Sequence, residues 1–244
     1  SHSVPWWTDG GGKIVTPVKG AVRPKSQHLG QYDIAYNCEL LFYRRERAGF
    51  HAIREATPLK LRIPLHDNWR TALAADYICA LIASIGFSRE ESSKIFKLTE
   101  ATLSKLETEG ADDPIAVVLW FETKLLSICG LSPDWRLCKR CIEEHPGMQW
   151  FRFSVASGKF ICSHTPESTV DSADRIVSVN ESVYRLYRSF SLAHSPPRRP
   201  QKNEGNSFLG FCRFLGIFIQ YHLDITPAAR RVLVEMLFAS KETN

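Results

Sequence analysis

Two groups of residues in this 244-residue chain have the types and spacing to do chemistry. The first is "CKRC", which sets Cys138 and Cys141 at C-x₂-C spacing. That spacing lets two thiolates on one tight turn reach the same tetrahedral ion. Further along, "GKFICSH" adds Cys162 and His164, and His145 is another candidate for the fourth position. The implied cofactor is a structural zinc. A repeated knuckle would put a cysteine three residues after Cys162, but that position is Thr165, and His164 falls one residue early. The set therefore reads either as a zinc ribbon or as a degenerate one that holds no metal. A catalytic zinc ranks lower. Zinc deaminases carry an H-x-E before the cysteine pair, and no H-x-E occurs in the chain. Zinc hydrolysis also requires a placed general base, and none is evident. A redox pair is disfavoured because no βαβ pattern surrounds "CKRC".

The second group is "PVKGAVRPKS", where Lys19, Arg23 and Lys25 stand around Gly20 and Pro24 and are followed by Ser26. Taken alone, three basic residues on a turn read as an ordinary solvated loop. Their setting changes the balance. The net charge is +5, and residues 1–62 hold ten Lys/Arg against five Asp/Glu, while the rest of the chain is neutral. A basic excess confined to the first quarter points to a polyanion partner for that quarter. Lys and Arg would contact phosphates, and the Ser26 hydroxyl could donate to a phosphate oxygen. Lys13, Arg44, Arg45 and Arg47 are candidates to extend the same surface.

The elements that must position these groups differ in period. "KIVTPVKGAV" is a β-branched run ending in a turn. "QYDIAYNCELLF" alternates, with Tyr32, Ile34, Tyr36, Cys38, Leu40 and Phe42 on one face. That stripe reads as core rather than as a stacking platform. "FHAIREATPLKLR" is a further strand, weakened by Pro58. Several short strands with glycine-bearing turns predict a small barrel or sandwich over residues 1–63.

Beyond Pro64 the period becomes helical, and residues 64–244 are expected to form a helical domain. "DNWRTALAADYICALIASIG" places Trp69, Leu73, Tyr77, Ala80, Leu81 and Ile85 on one stripe. Ser88 and Glu91 form a capping box. Asp113, Pro114 and Gly130 punctuate another helix, and Asn180 and Thr226 cap two more. A turn-rich, thiol-rich insertion at about 132–170 interrupts the run. The fold class is thus α+β.

Apolar content of 44% suits a globular protein. The most apolar stretch, "AVVLWFETKLLSICGL", is broken by Glu122 and Lys124, which argues against a membrane span. No secretory leader is visible. Cys38, Cys79, Cys129 and Cys212 lie in apolar runs and read as small buried hydrophobes in a reducing cytoplasm.

In order along the chain, "DGGGKIVTPVKGAVRPKS", "LLFYRRERAGFHAIREATPLKLR", "NWRTALAADYICALI" and "FETKLLSICGLSPDWRLCKRC" resemble successive segments of the bacterial RecO recombination mediators. The resemblance implies an N-terminal OB-fold that binds DNA, then a helical domain carrying a zinc-ribbon-like insertion. It also implies a non-enzymatic role: binding single- and double-stranded DNA, annealing complementary strands, and acting with RecR to load RecA onto strands coated by single-strand-binding protein. The acidic tail of that protein would be a further partner. Family members begin with a strand before the segment matching "SHSVPWWTDG", so either the sequence starts after that strand or the barrel lacks it. The alternatives are an RNA-binding OB module and, less favoured, a zinc metalloenzyme.

Overall fold

The computed structural model describes residues 2–9, 11–20, 23–26, 28–44, 51–108, 113–136, 139–144, 150–162, 174–198, 205–225 and 228–239. The chain forms two compact units, residues 1–115 with 227–244, and residues 116–226. The expected division at residue 63 follows the change of period. The compact units follow packing instead, because the β hairpins and the first helices share one core.

In the first unit, residues 2–8, to which no element was assigned from sequence, form β1 (His2–Thr8). It pairs antiparallel with β2 (Gly12–Val18), from His2 opposite Val18 to Thr8 opposite Gly12. Ile14, Thr16 and Val18 alternate inward along β2. The buried Thr16 hydroxyl accepts the Trp6 indole N–H at 2.8 Å. The second hairpin pairs β3 (Asn37–Tyr43) with β4 (Ala52–Lys60), with register shifts at Asn37/Cys38 and Leu41/Phe42.

Among the described residues the strands make two separate two-stranded sheets and no closed barrel. The long alternating strand expected over 31–42 is one reason. Residues 33–36 close a turn, with the Tyr36 N–H donating to the Asp33 carbonyl at 3.2 Å and Ala35 at φ 64°. β3 is therefore short, and the hairpins meet where the His51 N–H donates to the Val15 carbonyl at 2.9 Å.

α1 (Ile63–Asp67), α2 (Trp69–Ser84), α3 (Arg89–Thr108) and the returning α8 (Ala228–Ala239) complete this unit. The buried face of α2 is Thr71, Ala74, Ala75, Tyr77, Ile78, Leu81 and Ile82. Trp69 and Ala80, placed on the apolar stripe from sequence, are exposed. The capping box starts α3: the Ser88 N–H donates to Glu91 at 2.8 Å and the Glu91 N–H to the Ser88 hydroxyl at 3.3 Å. Those bonds hold the Glu91 carboxyl below its usual range.

The second unit is built on α4 (Pro114–Ile128), whose face is apolar nearly all round. It ends in a Schellman motif. Leu131 N–H reaches the Leu126 carbonyl at 2.8 Å, Gly130 N–H reaches Ser127 at 3.2 Å, and Gly130 takes the required φ of 69°. α6 (Glu181–Leu192) starts at Asn180, whose side chain accepts the Val183 N–H at 2.9 Å, as read from sequence. Its far end is held by Trp120 and Lys124, which donate to the carbonyls of Ala193 and Ser191. Burial pulls the Lys124 ammonium below its usual pKa. α7 (Gly205–Leu223) packs beside α6.

The insertion and the segment that follows it form a short helix α5 (Lys139–Glu144) and a three-stranded sheet. In that sheet β5 (Trp150–Ser154) lies between β6 (Lys159–Phe160) and β7 (Ile176–Asn180). Trp135 sits in a cage formed by the rings of Phe153, Phe160, Tyr184, Tyr187 and Phe214, with centroids 5.1 to 5.5 Å away. This aromatic cluster is the described core under the sheet. The expected zinc ribbon is not what the described residues form. The expected caps Thr226 and Pro227 lie outside them.

Candidate nucleic-acid interface

The loop after β2 is a chain of tight turns. Gly20 at φ 68° opens it, in a backbone conformation that glycine adopts without strain. Arg23 N–H then donates to the Gly20 carbonyl at 2.9 Å, Ser26 N–H to Arg23 at 2.8 Å, and Leu29 N–H to Ser26 at 3.2 Å. Arg23 folds close over Gly20: a Cβ there would meet Arg23 Cδ at 3.3 Å. Buried Val18 and His28 anchor the two ends of the loop. Between them Lys19, Arg23 and Lys25 are exposed, and no side-chain partner holds them among the described residues. Ser26 Oγ accepts the His28 N–H at 3.2 Å, which leaves its own proton to donate outward. The loop thus presents three uncommitted cations on a backbone pinned by successive hydrogen bonds.

The other candidates divide. Lys13 is at the opposite end of β2, roughly 20 Å away at about 3.3 Å per residue. Its ammonium donates to the Ala83 carbonyl at 2.7 Å, in the last turn of α2, where a cation offsets the helix dipole. The structure does not bring it to the loop. Arg44 is exposed at the end of β3. Tyr43 pairs with Ala52, and the adjacent His51 bonds to Val15, so that end of the hairpin lies beside the middle of β2. Arg45 and Arg47 lie outside the described residues.

One of the ten basic residues is buried in the fold and a second, exposed, is paired with the same acid. Arg62 is 2% exposed and binds Glu100 at 2.8 Å and Glu107 at 2.7 Å; Lys60 also pairs with Glu107. The positive surface is therefore concentrated in fewer side chains than the sequence count suggests.

Residues 66–230 match the family profile described as "Recombination protein O C terminal". The chain is also 24% identical over 179 residues to proteins named DNA repair protein RecO from Bacillus cereus (strain AH187), Bacillus anthracis and Bacillus mycoides (strain KBAB4), covering 73% of this chain and 68% of each relative. This chain belongs to the RecO family. The family profile begins after both hairpins, so the basic loop of this RecO-family chain has to be judged on its own geometry.

Cys162 is half-buried, just past β6. Cys141 lies on α5, with its side chain outside what is described, and Cys138 and His164 lie outside the described residues altogether. Among the described residues no three His, Cys, Asp or Glu side chains are grouped to hold a metal. Of the four cysteines read as buried, Cys212 is buried and Cys38, Cys79 and Cys129 are half-buried.

Sequence reasoning missed Tyr43, which is 60% exposed next to Arg44. It sits on the outward face of β3, opposite in phase to Phe42, and an exposed aromatic beside a cation is a ready base-stacking pair. The signal was present in the alternation, but it was read for the inward face alone. Among the described residues no helix is long and apolar enough to cross a membrane.

Proposed function

We propose that this RecO-family chain is a non-enzymatic DNA-binding protein of recombinational repair. Its two N-terminal hairpins serve in the place of the family's OB-fold platform. The observation that carries the reading is the Gly20-pinned loop, with Lys19, Arg23 and Lys25 exposed and unpaired beside a domain-wide basic excess. Ammonium and guanidinium groups there would follow phosphates, Ser26 would donate to a phosphate oxygen, and Tyr43 with Arg44 would take a base by stacking. Such contacts hold a strand without reading its sequence, which suits annealing of complementary strands. Action with RecR, loading of RecA on strands coated by single-strand-binding protein, and a cytoplasmic setting belong to the same reading. The names of the relatives support it. Single-stranded DNA is expected to displace a labelled DNA oligonucleotide at lower concentration than RNA of the same sequence, and the protein is expected to speed annealing of complementary strands. Equal or stronger displacement by RNA, with no annealing, would move the chain to RNA metabolism.

The thiol donors fit a structural zinc. Cys138, Cys141 and Cys162 would hold it, with His164 as the fourth ligand, and the ion would brace the insertion without taking part in chemistry. Protein purified without chelator is expected to contain about one zinc per chain. Cys141→Ser and Cys162→Ser should each lower that content, while the Trp135 core should keep the sheet folded. Elemental analysis showing no zinc in the unmodified protein would overturn the assignment.

A further inference from the structure

The first unit holds a cavity of about 730 Å³, within the range of small-molecule sites. Its wall explains the alternating stripe of the sequence. Tyr32, Ile34, Tyr36, Cys38, Leu40 and Phe42 all line it, though the first three come from turns and the last three from β3. The aromatic members are half-buried, neither packed core nor free surface. Trp6 from β1 and Phe96 from α3 add two more rings.

Several of these rings are fixed from behind. Trp6 donates to Thr16 and meets Tyr32 edge-on at 5.5 Å, Tyr36 meets His66 at 5.9 Å, and Phe42 meets His51 at 5.3 Å. The charged groups in the wall are unequal. Lys13 is committed to the Ala83 carbonyl. Asp9 accepts from Ser93, Asp33 from the Ile34 N–H, and Glu100 is paired with Arg62. Asp76, on α2, is half-buried, lines the cavity, and has no side-chain partner among the described residues. Burial favours the protonated form of the two thiols in the wall, pushing Cys79 up to about 11 and Cys38 above its usual value.

We propose that this cavity is a binding site for a small organic amine, a cation carried on an apolar body, with Asp76 as its counterion and the rings of Trp6, Tyr32, Tyr36, Phe42 and Phe96 as its walls. An uncommitted carboxylate sets the sign of the charge. Ring faces attract cations, and their apolar area receives the body of the ligand. The loop of Lys19, Arg23 and Lys25 takes no part, so the site stands independently of the DNA-binding reading.

Three ligands of equal chain length separate charge from hydrophobicity: octylamine, 1-octanol and octanoate. Titrated into the full chain and followed by calorimetry and tryptophan fluorescence, octylamine is expected to bind about tenfold more tightly than octanol, and octanoate more weakly than either. Asp76→Asn should bring octylamine to within twofold of octanol and leave octanol unchanged. Ala80→Lys, one turn along α2 on an exposed cavity-wall position, places an ammonium four residues from Asp76 and should abolish the preference without touching the carboxylate. It therefore serves where Asp76→Asn does not fold. Equal affinity for octylamine and octanol in the unmodified protein, or no binding of any of the three, overturns the proposal. So does a preference for the amine that survives both variants.

Discussion

Arg62→Ala is expected to destabilise the first unit by about 3 kcal/mol or more, as removing one partner of a buried ion pair does. The guanidinium is enclosed and donates to Asn37 at 3.2 Å, Ser104 at 3.3 Å, Glu107 at 2.7 Å and Glu100 at 2.8 Å. It therefore ties the start of β3 and the exit of β4 to α3. Alanine leaves Glu107, whose side chain is 10% exposed, with Lys60 as its remaining cation. Glu100 is 35% exposed and can rehydrate, which keeps the expected loss towards the lower end. Arg62 also takes φ 50°, a left-handed conformation that costs a residue with a Cβ about 1 kcal/mol. Arg62→Gly removes the same guanidinium but relieves that strain, so it should be the milder of the two. Arg62→Lys should not restore stability, because an ammonium cannot reproduce a planar fork that reaches four acceptors. Urea unfolding of the three variants reads this directly. A loss below 1 kcal/mol in Arg62→Ala would mean that water reaches the network and that α3 holds the hairpin by apolar contact alone.

That network also marks the limit of what could be read from the chain beforehand. Features decided within one turn of backbone were legible. The Ser88–Glu91 box, the Asn180 cap and the Gly130 stop each depend on residues three to five apart, and each is present. Partners distant in sequence were not legible. Lys13 finds Ala83 seventy residues away, and Arg62 finds Glu107 forty-five residues away. Both looked like free surface charge. The stripe from Tyr32 to Phe42 misled in a different way. Period two was correct for Cys38, Leu40 and Phe42, but Ala35 at φ 64° shows that the first half reaches the same cavity through turns. Alternation records which residues face inward and does not by itself require a strand. The insertion was read from its cysteines alone, whereas its described core is organised by Trp135, whose aromatic neighbours come from β5, β6, α6 and α7.

Replacing Lys19, Arg23 and Lys25 together by alanine is expected to weaken single-stranded DNA binding by on the order of 100-fold near 0.1 M salt. Each phosphate neutralised on a single strand contributes about −0.7 to the slope of log affinity against log salt, so losing three contacts should make the slope shallower by about two. The effect should be similar for unrelated sequences, because phosphate contacts position a strand without reading it. Folding should hardly change, since the three side chains are exposed and unpaired. Arg44→Ala, at the neighbouring end of β3, should remove about one further contact, and Tyr43→Ala should lower affinity without altering the slope, because stacking releases no counterion. The matched control is the loss of three exposed arginines in the second unit, Arg175, Arg188 and Arg213. If the control flattens the slope as much as the triple replacement, the protein attracts DNA through its overall field and the loop is a solvated turn. If neither changes the slope, the grip lies among the arginines of residues 44–47. Only a loss confined to the triple replacement places the phosphates on the turn that Gly20 opens.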